Sequence, residues 1–169
     1  PVQLADPEFV SLVQSVLEST GLPADRLELE ITESLFIEDT EAALKQLHAL
    51  HALGIHGALD EFGTGYSSLS YLCRFPFSTL KIDRSFVQEA MDRPEALAVV
   101  QHIAQLARSL KMRTVCEGVE TPEQLAMVIG AGIDEAQGYL LSAPKPLEFF
   151  KSFTEDWKTQ QAPLEYLPE

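Results

Sequence analysis

One rhythm constrains this chain more than any other feature: a short apolar run, a loop, an amphipathic helix, then the same again. Leu27 to Thr32 reads as a strand. Asp39 or Thr40 caps a helix that buries Ala43, Leu44, Leu47, Leu50 and Leu53, and Gly54 stops it. Ile55 to Asp60 is the next strand, and Ser67 to Phe75 a short helix ended by Pro76. Leu80 to Asp83 is a strand, and Pro94 opens a long helix carrying Leu97, Val100, Ile103, Ala107 and Leu110. Arg113 to Cys116 is a strand, Pro122 starts a helix ending near Gly130, and Ile133 to Gln137 is a strand with a candidate continuation at Tyr139 to Leu141. Glu148 to Trp157 reads as a terminal helix, and Gln160 to Glu169 as a polar tail.

Such alternation implies a parallel sheet with right-handed crossovers. A doubly wound open sheet and a (β/α)8 barrel both satisfy it. The polar residues at strand ends decide between them. Glu30, Asp60, Lys81, Glu117 and Gln137 each close a different strand, 20 to 36 residues apart. In a barrel those ends converge on one rim, where barrel active sites lie. In an open sheet they would spread along a line, and the outer ones could not share a ligand. The expected fold is therefore a (β/α)8 TIM-like barrel. A full barrel has eight strands and about 250 residues. This chain has 169, shows five strands and a candidate sixth, and opens on a helix from Pro7 to Ser19 with Phe9, Leu12, Val13, Val16 and Leu17 as its apolar side. The expectation is an incomplete barrel over residues 1–153, with 154–169 as helix end and tail. Either the barrel is truncated, or a second chain completes it. Pro1 as first residue fits a cut or processed piece.

Composition narrows the function. Hydrophobic residues make up 46% and charged residues 22%, as in a soluble globular protein. No apolar run approaches the roughly 18 residues of a membrane span. No basic-then-apolar opening marks the chain for secretion, and Cys73 and Cys116 lie in no metal-spacing motif, which fits reduced thiols in the cytoplasm. The net charge of −14 argues against a long nucleic acid, which needs a basic face. A small phosphorylated ligand stays open, because bound divalent cations reverse the local field.

The chemistry concentrates in Asp60-Glu61-Phe62-Gly63-Thr64-Gly65. Adjacent carboxylates at a strand end repel unless a cation lies between them. A divalent metal pair is the strongest reason for them, and Gly63 and Gly65 let the backbone turn close to what the metals hold. Plainer readings exist. Asp60-Glu61 could be a helix cap or turn pair. Glu30 and Glu33 could belong to a capping box. Lys81 could pair with Asp83, Glu117 with Arg113, and Gln137 could satisfy backbone groups. His48 and His51, three apart on a helix, lack a third ligand and read as surface residues.

Five blocks carry a family resemblance: Leu29-Glu30-Ile31-Thr32-Glu33-Ser34, Asp60 through Leu69, Leu80-Lys81-Ile82-Asp83-Arg84-Ser85-Phe86-Val87, Cys116-Glu117-Gly118-Val119-Glu120, and Gln137-Gly138-Tyr139-Leu140 with Pro144. In this order and spacing the chain resembles the EAL domain of bacterial cyclic di-GMP phosphodiesterases, over about residues 4 to 150. The resemblance implies hydrolysis of cyclic di-GMP to linear pGpG by two Mg²⁺ or Mn²⁺ ions. By position, it makes Glu30 a ligand of the first metal, Asp60 the bridge between both, and Glu61 a ligand of the second. It makes Lys81 the lysine that orients the water, Glu117 the second-metal ligand or general base, and Gln137 the glutamine beside the metals. Glu33 would pin the loop after Asp60-Glu61, and Glu120 would face the ligand. Two departures stand out. The name-giving Glu-Ala-Leu strand and the metal-binding asparagine of the next strand would both precede Pro1. Glu61 also replaces the family's usual Asp, which opens an alternative: a non-catalytic cyclic di-GMP receptor. A homodimer through helices near the Asp60 loop is also implied.

Overall fold

A computed structural model describes residues 3–32, 40–63 and 69–150. Strands β1 (Glu28–Thr32), β2 (His56–Phe62), β3 (Thr79–Ile82), β4 (Arg113–Cys116) and β5 (Glu135–Ala136) form one sheet in the order β1-β2-β3-β4-β5. Every neighbouring pair is parallel. A doubly wound sheet would reverse its strand order part-way. This one never reverses, which is the winding of a TIM-like barrel, seen here as a five-strand arc.

Six helices are described: α1 (Phe9–Thr20), α2 (Thr40–Ala52), α3 (Leu69–Arg74), α4 (Arg84–Asp92), α5 (Pro94–Ser109) and α6 (Pro122–Gly130). Their ends follow local chemistry. Gly21, at φ 69°, caps α1 by donating its N–H to the Leu17 carbonyl. Thr121 and Gln124 form a capping box at the start of α6, with Pro122 in its first turn. The expected buried stripes hold: Ala43, Leu47 and Leu50 on α2 and Val100, Ile103 and Ala107 on α5 lie in the core.

Three expectations need correction. The candidate strand at 139–141 is a turn, in which Leu141 and Ser142 both donate N–H to the Gly138 carbonyl. The apolar stripe of α1 is wider than its buried side, since Leu12 and Val16 are exposed. The stretch after Asp83, where no element is expected, is helix α4. Its signals were an Asp N-cap and apolar residues three apart, Val87 and Ala90, both buried. Residues 147–150 are helical, as expected of the terminal helix. The rest of that helix, the tail, Asp39, Ser67, Glu33 and Gly65 lie outside the described residues. No described helix is long and apolar enough to cross a membrane.

The strands divide their side chains strictly between two faces. Ile31, Leu59, Leu80, Ile82 and Cys116 are buried in the core that the helices cover. The register places Glu30, Ala58, Thr79 and Arg113 on the opposite, inner face, with Lys81 and Val115 following them. At its amino-terminal edge that face is tied by ion pairs. Glu28 Oε2 accepts from Thr79 Oγ1 at 2.7 Å and from Arg113 Nη2 at 3.3 Å, and Arg113 Nη1 donates to Glu135 at 2.8 Å. Arg113 is therefore committed at the base of the sheet and does not pair with Glu117.

Candidate active site

At the carboxyl edge of the same face, Lys81 stands at the centre of three carboxylates from three strands. Its Nζ lies 2.8 Å from Glu30 Oε1 on β1, 3.3 Å from Asp60 Oδ1 on β2 and 2.6 Å from Glu117 Oε1 just past β4. The Lys81 side chain is 6% exposed, against 53% for Glu30, 18% for Asp60 and 22% for Glu117. Burial opposes the ammonium charge. The hydrogen bonds to Glu117 and Glu30 and the attraction of Glu117 and Asp60 outweigh it, so the Lys81 pKa rises above its ordinary value. Lys81 does not pair with Asp83, whose carboxylate instead caps α4 through Ser85 N–H at 2.9 Å and Ser85 Oγ at 2.6 Å.

A bulge places Asp60 in this cluster. Leu59 pairs with Leu80 and Phe62 with Ile82, so Asp60 and Glu61 together oppose the single residue Lys81. Glu61 takes the left-handed conformation, at φ 56°, and donates its N–H to Asp60 Oδ1 at 3.0 Å. With the extra residue, Asp60 points inward and Phe62 returns to the buried core face. An uninterrupted strand would put both on the same side.

Helix α4 wedges behind the site. Gly63, at φ 95°, sits so close to the Phe86 ring that an added Cβ would lie 2.7 Å from it. Gly118, at φ 69°, is pressed against Arg84. Gly138 leaves no room for a Cβ beside the Val119 backbone, and the two loops are joined by Val119 N–H to Gln137 O and Leu140 N–H to Val119 O.

The EAL domain profile matches residues 1–144. The chain belongs to the EAL domain family. It is 39% identical over 153 residues to the cyclic di-GMP phosphodiesterase RocR of Pseudomonas aeruginosa, covering 90% of this chain and 39% of that protein. The PaMucR phosphodiesterase in complex with c-di-GMP superposes with a TM-score of 0.83 at 41% identity, covering 88% of this chain and 60% of that one. A manganese/cy-diGMP complex of Klebsiella pneumoniae BlrP1 gives a TM-score of 0.79 at 33% identity, with coverage of 84% and 36%. The chain spans about a fifth of the length of the curated relatives that are 46–47% identical to it.

In this EAL domain the sequence-predicted residues divide into two groups. Glu30, Asp60, Lys81 and Glu117 come together directly, and Glu61 adjoins them through the bulge. Gln137 and Glu120 stay outside the cluster. The Gln137 backbone bonds Cys116 and Val119, and its side chain is exposed. Glu120 is exposed, and its N–H goes to Gln124. Four acids against one ammonium leave the site strongly negative. Its donors are all carboxylate oxygens, the set that hard divalent cations such as Mg²⁺ or Mn²⁺ take. Among the described residues no three such side chains already stand at ion-binding spacing, since Glu30, Asp60 and Glu117 each turn an oxygen to Lys81. The donor chemistry fits a divalent-metal site with Lys81 at its centre. Cys116, one residue before Glu117, is inert: burial and the neighbouring Glu117 charge push its thiol up to about 12.

Proposed function

We propose that the chain forms the larger part of a metal-dependent phosphodiesterase site that hydrolyses cyclic di-GMP to linear pGpG. The observation that carries this reading is the convergence of Glu30, Asp60 and Glu117 on a buried Lys81 at the carboxyl ends of three adjacent parallel strands. Glu30, Asp60, Glu61 and Glu117 would hold Mg²⁺ or Mn²⁺. The cations, when bound, supply a strong Lewis acid that polarises the phosphodiester and generates hydroxide near neutral pH. Lys81 keeps its proton throughout the working pH range, so its part is electrostatic: it orients an attacking water and offsets charge developing on the phosphorane oxygens. Glu117, in contact with Lys81, is placed to take the proton of that water. Gly63, Gly65 and Glu33 would serve the loop after Asp60-Glu61, and Gln137 and Glu120 would form the outer rim. A bacterial cytoplasmic location is part of this reading, in keeping with a nucleotide second messenger as ligand.

Glu61 favours a second reading, a receptor that binds cyclic di-GMP without cleaving it. It is one methylene longer than the family's Asp, and its backbone is already strained. The test is incubation of the full-length protein carrying this chain with cyclic di-GMP and Mn²⁺, followed by chromatography. Appearance of pGpG, lost in Glu117→Gln while ligand binding persists, is the expected result. Binding without product would establish the receptor, and neither would overturn both readings.

A further inference from the structure

Arg84 opens α4 immediately after the strand that delivers Lys81, and its side chain is exposed. The register pairs Ile82 with Cys116, so Arg84 and Gly118, each two residues on, meet at the rim. Contact confirms it. A Cβ built on Gly118 would run into the Arg84 stem, which passes it as far as Cδ at 3.6 Å. The left-handed Gly118 is thus a bare seat along which the Arg84 side chain lies, one residue from Glu117.

The guanidinium itself has no hydrogen-bond or ion-pair partner among the described residues. Its neighbouring acid, Asp83, is committed to Ser85 and to the Arg84 backbone N–H, and meets the Arg84 guanidinium only through space. Of the five other described arginines in this acidic chain four are engaged: Arg74 with Glu41, Arg93 with Glu89, Arg113 with Glu28 and Glu135, and Arg108 with the Gly132 carbonyl. Arg26, the fifth, lies in the short 3-10 turn before β1, at the opposite end of that strand from the carboxylate cluster. An arginine held by its stem at the edge of a carboxylate cluster, with its planar fork left open, is suited to an oxyanion that offers two oxygens side by side. Guanidinium matches phosphate by two parallel hydrogen bonds, and guanine offers no comparable charge.

We propose that Arg84 is a substrate-binding residue whose guanidinium clamps a phosphate of the cyclic dinucleotide at the mouth of the site. The assignment rests on the cyclic di-GMP reading above. It counters the repulsion that Glu30, Asp60, Glu61 and Glu117 exert on a dianionic ligand, and it does so on the side of the site opposite the open Glu30.

The experiment compares wild type with Arg84→Gln, which keeps the stem over Gly118 and removes only the charge, and with Arg84→Lys. Equilibrium binding of cyclic di-GMP is measured in Ca²⁺, a cation with which a BlrP1 complex also formed, across a salt series. Melting curves check the fold. Arg84→Gln should weaken binding about tenfold or more, as loss of a charged hydrogen bond does. It should also flatten the salt dependence, with Arg84→Lys intermediate. Wild-type binding with an equally tight Arg84→Gln overturns the clamp and leaves the functional reading intact. Weaker binding with an unchanged salt slope assigns Arg84 to a base and overturns the phosphate contact. No binding by a folded wild type overturns the functional reading and the clamp with it.

Discussion

Replacing Lys81 with Met removes the charge on which the site is built and keeps a side chain of similar reach. In the folded protein the ammonium makes contacts of 2.6, 2.8 and 3.3 Å, and the side chain is 6% exposed. Deleting one member of a buried charge pair costs about 3–5 kcal/mol, because the partner is left buried and uncompensated. Three partners do not triple that figure. Glu30 is 53% exposed and can turn to water, whereas Asp60 and Glu117, at 18% and 22%, cannot. The expected loss is therefore about 2–3 kcal/mol at neutral pH, or roughly 4–12 °C in Tm for a chain of this size. A lysine whose pKa is raised on folding contributes fully below its ordinary value of 10.5, and the contribution fades only as pH climbs through the folded value. The difference between the proteins should thus stay constant between about pH 6 and pH 9. Mn²⁺ should then raise the Tm of Lys81→Met by more than that of wild type, because the cation no longer competes with an ammonium for the same oxygens. Circular-dichroism melts with and without Mn²⁺ read both effects. A Lys81→Met protein that melts at or above the wild-type temperature in metal-free buffer would refute the argument, since desolvation of the ammonium would then outweigh its pairing.

Three further outcomes follow from separate features. Asp83→Ala should cost about 1 kcal/mol through loss of the α4 cap. Because its hydrogen bonds to Ser85 hold Asp83 below the ordinary carboxylate range despite the burial that opposes them, that penalty should persist at mildly acid pH and disappear only as pH falls through the lowered value, as acid titration of the melts would show. With a thiol reagent near pH 8 the native protein should label at exposed Cys73 and spare buried Cys116, and mass spectrometry showing native labelling of Cys116 would contradict the packing behind Glu117. Glu61→Gly should relieve a left-handed strain of about 1–2 kcal/mol, offset in part by the entropy of glycine. A protein of equal or greater Tm with weakened Mn²⁺ stabilisation would mark Glu61 as functional, whereas a large drop in Tm at full activity would make it a structural residue.

Much of this architecture was legible because the sheet is two-faced. A parallel strand covered on both sides reads as an unbroken apolar run, but Glu30, Asp60 and Lys81 interrupt theirs at the point where the strand meets the rim. That interruption marked both the strand ends and the site. The helix after Asp83 was less legible for a related reason. Asp83-Arg84-Ser85 reads as strand end and loop, and the short apolar spacing of Val87 and Ala90 is diluted by the charged Glu89 and Asp92. The outer rim was the least legible part of the site. Gln137 and Glu120 carry the right chemistry, yet which way a loop side chain turns is set by tertiary contacts such as Gly138 against Val119 and Gln124 against the Glu120 backbone, and no local pattern encodes those.

The bulge at Glu61 shows how sequence, strain and function meet in one residue. Asp60 must reach Lys81 on the inner face, while Phe62 must join Ile82 on the core face, and alternation forbids both at a spacing of two. One inserted residue resolves the conflict, and it does so by accepting a backbone angle that glycine would take without cost. A glutamate retained there is hard to explain by stability, because the fold alone would favour Gly or Asn. Strain of this kind persists where the side chain has work to do. The adjacent carboxylates that first single out this stretch are therefore not two turns of the same strand pattern. They are one inward-facing ligand and one bulged residue, set side by side at the mouth of a negatively charged site.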